Sequence, residues 1–220
     1  MSYRKIIFTN NEYYHIFNRG VDKRNIFEEK LDYERFIETL TEFNTEKAIG
    51  SLFEKNHSAL KNKPFGGSAS KNELVEIVAF CLNPNHFHLI LKQNSDNGII
   101  KYMQRIGTGY TMYFNNKLKR SGALFQGKFK SSHIDNNEYL LYLSAYVNLN
   151  DKIHKIKDDN VISSFKEYTE NIEGICIKSI ILDQFKNKEE YKKFLDDSLS
   201  ELIRQKEEKS DLEKYFIENE

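Results

Sequence analysis

The sequence predicts an α+β fold: a central antiparallel sheet with helices packed on it, followed by a charged C-terminal helical extension. Three observations carry this. Residues 12–19, 73–82 and 86–93 hold the aromatic and branched side chains that suit strands. Residues 31–43, 99–118 and 135–149 read as helices. Residues 189–220 are rich in Lys, Glu and Asp and read as one or two charged helices.

The elements follow in order. Residues 12–19 form a strand that Gly20 ends. Residues 31–43 place apolar side chains at 31, 33, 36, 37, 40 and 43, with Asp32 near the start, where a negative charge favours the helix dipole. Residues 48–53 are a short strand candidate. Residues 57–71, with Pro64, Gly66 and Gly67, read as an exposed loop or hairpin excursion. The turn Asn83-Pro84-Asn85 joins strands 73–82 and 86–93 into a hairpin. The longest helix candidate, 99–118, contains Gly107 and Gly109, which lower its propensity. Residues 122–132 read as a basic-aromatic connection, and 135–149 as a helix capped by Asn136 or Asp135. There is no internal repeat.

The 220 residues suffice for one domain with an appendage, and 39% apolar with 30% charged side chains describes a folded, soluble chain. Thirty-three basic and 33 acidic residues sum to zero, which excludes a globally basic coat for nucleic acid. Two cysteines, Cys81 and Cys176, are too few for a disulfide scaffold or a cysteine zinc site, and read as buried small hydrophobes in a reducing compartment. No signal peptide and no membrane span are expected, so the expected location is the cytoplasm.

The charge is unevenly spread. The 38 residues from Asn97 to Ile134 contain no acid. They carry seven cations: Lys101, Arg105, Lys117, Lys119, Arg120, Lys128 and Lys130. Six aromatic residues are interleaved: Tyr102, Tyr110, Tyr113, Phe114, Phe125 and Phe129. Clustered cations neutralise phosphates, and rings offer faces to bases. The same pattern also describes a solvated face over an aromatic core, and it does not separate RNA from DNA.

His86-Phe87-His88 lies on a predicted strand, so both imidazoles project to one face and Phe87 to the other. Two neutral imidazoles on one face can hold a divalent ion and leave positions open. They are equally a pair of satisfied surface histidines unless a third ligand joins them. The helix at 135–149 offers Tyr139, Tyr142 and Tyr146, with Asn150 four residues beyond Tyr146 and so on the same face. A tyrosine hydroxyl can attack a phosphodiester polarised by a cation, and an asparagine carbonyl is an oxygen ligand suited to Mg²⁺. Any one of these tyrosines alone reads as core.

These residues also resemble a known family. The run from Asn83 to Leu91 resembles the PNHFHLL strand of the IS200-like tyrosine transposases, and especially of the REP-associated ones. Tyr13–Gly20 resembles that family's first strand, and Phe27 with Asp32–Phe36 its helix entry. Residues 102–115 and 122–131 resemble the next helix and its basic connector. Residues 146–150 resemble a Tyr-Ile-x-x-Asn-Pro helix end, and 163–168 a later Ser-Ser-aromatic motif. The resemblance spans roughly 10–170, with weaker similarity at 181–195. At Asp151 the chain departs from the family's usual proline.

The resemblance implies a single-tyrosine HUH nuclease domain with a ferredoxin-like or RRM-like sheet at residues 1–170, and a helical extension at 171–220. By motif position His86 and His88 would hold Mg²⁺ or Mn²⁺ with Asn150 as third ligand, and Tyr146 would be the nucleophile, with Tyr142 the fallback if the register shifts. The implied activity is cleavage and rejoining of single-stranded DNA that carries a hairpin, through a 5′-phosphotyrosine. Phosphate contacts would come from Lys101, Arg105, Lys117, Lys119, Arg120, Lys128 and Lys130, with Arg19 near the DNA or the site. His15 reads as a core residue outside the metal set. A homodimer and a monomer both occur within the resemblance. The competing readings are a relaxase-like or replication-initiator-like nicking enzyme, a non-catalytic hairpin-binding protein, and a phosphodiesterase that uses water.

Overall fold

Alternation along each strand divides the sheet into two unlike faces. The computed structural model describes residues 6–47, 73–170 and 172–217. The strands are β1 (Tyr13–Arg19), β2 (Val75–Asn83), β3 (His86–Gln93), β4 (Lys130–Ile134) and β5 (Ile162–Ser163). They form one antiparallel sheet in the order β4-β1-β3-β2-β5. The helices are α1 (Lys30–Glu42), α2 (Gly98–Lys117), α3 (Asn137–Asn148), α4 (Asn150–Ile153), α5 (Phe165–Thr169), α6 (Ser179–Leu182) and α7 (Lys188–Ile217).

The register assigns residues to faces. Lys130, Phe17, His88, Cys81 and Ser163 lie in one row across all five strands, and Arg19, His86 and Asn83 in the next. Partnered residues share a face, so both rows lie on the same side of the sheet. The other side is apolar: Ile16, Leu89 and Phe80 in one row, Phe87 and Leu82 in the next, all at most 2% exposed.

Helices α1 and α2 cover that apolar side. Phe36 packs on Phe87 at 5.2 Å and on Tyr110 of α2 at 4.9 Å between ring centres. Gly109 lets α2 approach: a Cβ there would meet the Phe43 ring at 2.5 Å. Asp32 is wholly buried at the start of α1, where it accepts from Lys117, Tyr113 and the backbone amides of Glu28 and Glu29. Burial alone would raise its carboxyl, but these donors together hold it below the usual carboxylate range.

Helix α3 covers the histidine side. The Asn136 side chain caps it by accepting from the Tyr139 amide, so the cap is Asn136 and not Asp135. The charged extension packs on α3: buried Tyr191 accepts from Asn148 Nδ2 at 3.0 Å, and Tyr142 donates to Gln205 at 3.0 Å. Ser164, from the Ser-Ser-aromatic motif, bridges the Phe80 backbone of β2 and the Asn148 side chain of α3.

The stretch 122–132, read from sequence as a connection, ends in edge strand β4. Its ladder with β1 supplies hydrogen bonds that no local pattern encodes. The strand candidate at 48–53 and the loop at 57–71 lie outside the described residues. Among the described residues, no helix is long and apolar enough to cross a membrane.

Candidate active site

The two-residue turn Pro84-Asn85 makes Asn83 and His86 direct cross-strand partners, and alternation carries His88 to the same face. The rings of His86 and His88 stand 5.1 Å apart between centres at an interplanar angle of 89°. Two imidazoles bound through nitrogen at about 2.1 Å to one ion have centres roughly 5 Å apart, so the spacing suits a shared cation.

Hydrogen bonds set the tautomer of His86. Asn85 Nδ2 donates to the Lys23 carbonyl, which turns Asn85 Oδ1 toward His86 Nδ1 at 2.6 Å. A carboxamide oxygen only accepts, so Nδ1 carries the proton and Nε2 the lone pair. Asn83 Nδ2 faces that lone pair at 3.0 Å. The same amide donates to Asn150 Oδ1 at 2.7 Å. Asn83 and Asn150 are completely buried, and Asn150 Nδ2 has no hydrogen-bond partner.

His88 is held from its other side. Its Nδ1 lies 2.9 Å from His15 Nε2, and the rings stack at 15°. Burial pushes His15 down to about 4. His88 falls well below its ordinary value, through burial first and then through the nearby His15, His86 and His154. Burial, then Arg19 and His154, push His86 to about 4, with Asn150 acting the other way. All three rings are therefore neutral at pH 7, the form that binds metal.

The Tyr146 ring of α3 stands nearly perpendicular to those of this cluster, with its centre 5.6 Å from His88 and 6.4 Å from His15. Asn150 follows one helical turn later, at the start of α4. Asp151 keeps one carboxylate oxygen buried without a partner. His154, a further four residues on, brings its ring centre within 6.2 Å of His86.

His86 Nε2, the corresponding nitrogen of His88 and the Asn150 carboxamide are donors of the kind that could hold a hard divalent ion. Among the described residues, no group of three or more His, Cys, Asp or Glu is placed to hold a metal.

Residues 51–150 match the family model described as transposase, IS200 like. This stretch is similar to that family. It contains His86, His88, Tyr146 and Asn150. No curated protein matches the chain. Among solved structures, one of a REP-associated tyrosine transposase bound to a REP hairpin is similar at 13% identity and a TM-score of 0.47, covering 76% of this chain and 84% of that chain.

The matched stretch also contains the seven basic residues of the acid-free window, and the fold separates them. Arg105 donates to the backbone carbonyls of Phe43, Thr45 and Glu46 behind α1. Lys117 pairs with Asp32 and Glu29. Both belong to α2, on the sheet side away from the histidines. Arg120 donates to the Ala123 carbonyl and lies over the Phe114 ring. Lys101, Lys119 and Lys128 are exposed. Lys130 is exposed and lies in the His88 row, while Arg19 stands opposite His86 with its Nε buried and unpartnered.

Sequence reasoning missed Asn83, Asn85 and His154, and left His15 outside the site. Two of these carry a signal in hindsight. Asn83 flanks a two-residue turn opposite His86, and His154 continues the four-residue spacing of Tyr146 and Asn150.

Proposed function

We propose that this protein is a metal-dependent single-stranded DNA endonuclease and strand transferase, a transposase that recognises hairpin DNA and works through a 5′-phosphotyrosine. The observation that carries the reading is the Tyr146 ring lying 5.6 Å from His88, within the neutral imidazole cluster of an IS200-like stretch.

His86, His88 and Asn150 would hold Mg²⁺ or Mn²⁺. When bound, the ion supplies Lewis-acid polarisation of the scissile phosphate. The residues of this chain do the rest. Buried, hydrogen-bonded imidazoles keep their lone pairs in one orientation. Helix α3, packed on the sheet and clamped by α7, holds the Tyr146 hydroxyl on a rigid support. That hydroxyl attacks phosphorus: the Tyr146 O–P bond forms, the bond to the 3′ oxygen breaks, the phenolic proton is released and the departing oxygen takes one up as a 3′-OH. Attack by another 3′-OH reverses the step and frees Tyr146. The ester conserves the phosphodiester energy, so no nucleotide cofactor is needed.

The test uses labelled single-stranded DNA containing a hairpin, with Mn²⁺ or Mg²⁺. A denaturation-resistant protein–DNA adduct is expected, and Tyr146→Phe should abolish it. An adduct that survives this substitution overturns Tyr146 as nucleophile. Cleavage without any adduct points to water as nucleophile, and hairpin binding without cleavage points to a non-catalytic binding protein.

A further inference from the structure

Asn83 has an unusual position. Its Nδ2 is the shared donor to His86 Nε2 at 3.0 Å and to Asn150 Oδ1 at 2.7 Å, the two atoms best suited to bind a cation from their respective elements. Around a divalent ion with ligands at 2.0–2.1 Å, adjacent corners of the octahedron lie roughly 2.8–3.0 Å apart. Both separations from Asn83 Nδ2 nearly match those between neighbouring ligands, but the shared atom is a donor nitrogen.

The far side of the amide accepts either orientation. Asn83 Oδ1 faces Cys81 Sγ at 3.6 Å, and a thiol both donates and accepts weakly. A half-turn of the carboxamide places Nδ2 against that sulfur and Oδ1 between His86 and Asn150. Without a cation the turned amide sets two carbonyl oxygens against each other at hydrogen-bond distance, which is repulsive. With one, both oxygens point at positive charge. The turn is therefore coupled to the ion.

We propose that Asn83 is a metal ligand of this site: its carboxamide caps His86 and Asn150 in the metal-free protein and turns over on cation binding to coordinate through Oδ1. This rests on the metal-dependent reading above and extends the ligand set to β2. It also explains a fully buried asparagine at a strand end, where an apolar side chain would pack more cheaply unless its polar atoms were needed.

The test measures Mn²⁺ binding to the full chain without DNA, by calorimetry and electron paramagnetic resonance. Wild type is expected to bind one ion, and His86→Ala to lose it. Asn83→Leu should weaken binding at least tenfold. Asn83→Asp, which places an anionic oxygen at the same point, should tighten it at least tenfold. In the wild type, saturating Mg²⁺ should shift the Asn83 side-chain amide protons upfield as they leave their acceptors, with a matching change at its carboxamide carbon. Asn83→Leu binding within twofold of wild type, or tighter, overturns the proposal. So do Asn83 resonances that stay fixed at saturating Mg²⁺, a readout that stands if the leucine variant does not fold. A wild type that binds no Mn²⁺ overturns this proposal together with the metal-dependent reading. Binding that needs His86 but not Asn83 overturns this one alone.

Discussion

His15 Nε2 lies 2.9 Å from His88 Nδ1, joining two imidazoles that are 7% and 8% exposed on neighbouring strands. Both rings are neutral, so a single proton lies between them. For His88 Nε2 to keep its lone pair, His88 Nδ1 must donate and His15 must accept. His15 is then a positioning residue. His15→Phe removes the acceptor and is expected to weaken Mn²⁺ binding about 10–100-fold, the usual effect of losing such a partner. His15→Gln, which keeps an acceptor, should lose less. Calorimetric titration of both variants checks the order, and equal affinities would remove His15 from the site.

Tyr142 and Tyr146 differ in partner, not in type. Tyr142 donates to Gln205 of the C-terminal helix, and Tyr146 faces the histidines. Tyr142→Phe is expected to retain the DNA adduct and to lower stability by about 1 kcal/mol, the worth of one hydrogen bond. Denaturing gels and urea melts of this variant check both halves.

The cations divide by placement. Arg19→Ala and Lys130→Ala, on the histidine side, should weaken single-stranded DNA binding and flatten its salt dependence by about one counterion each. Arg105→Ala and Lys117→Ala should leave the salt slope unchanged and lower the unfolding midpoint instead, because their partners lie inside the protein. Binding isotherms over a range of salt, read beside thermal melts, separate the two groups.

Asp32 collects two side-chain and two backbone donors in a fully buried position. Asp32→Ala takes this acceptor from all four, leaving Lys117 only Glu29, and should cost about 2–4 kcal/mol. Urea unfolding measures this, and a change under 1 kcal/mol would contradict the assigned network.

Stability should depend on pH through the buried histidines. His15 and His86 titrate near 4 when folded, against 6.5 ordinarily. Above about 6.5 they are neutral in both states and contribute no slope. Between about 6.5 and 4 the unfolded chain binds protons that the folded chain refuses, so stability falls by up to about 1.4 kcal/mol per pH unit for each ring. Urea midpoints in chelator from pH 7.5 to 4.5 should show this decline, shallower in His15→Phe.

Much of the architecture was legible because it is local. Alternation at His86-Phe87-His88, the Asn83-Pro84-Asn85 turn, and the four-residue step from Tyr146 to Asn150 each encode their geometry within a few residues. Edge strand β4 was not legible, because its pairing with β1 comes from distant backbone and its own run is short and basic. The acid-free window was legible as composition but not as a surface: Arg105 and Lys117 turn inward to carbonyls and carboxylates that no spacing within 97–134 announces.

Sequence alone determined which residue types share a strand or helix face: two imidazoles on β3, and a tyrosine and an amide one turn apart. Helical and strand periods are properties of the backbone and need no partner. Only the tertiary structure decided which of them meet. It placed Tyr146 rather than Tyr142 against His88, drew in His15 from β1, and made Asn83 the common partner of His86 and Asn150. Such contacts depend on sheet register and helix docking, which the burial of residues far apart in the chain settles together.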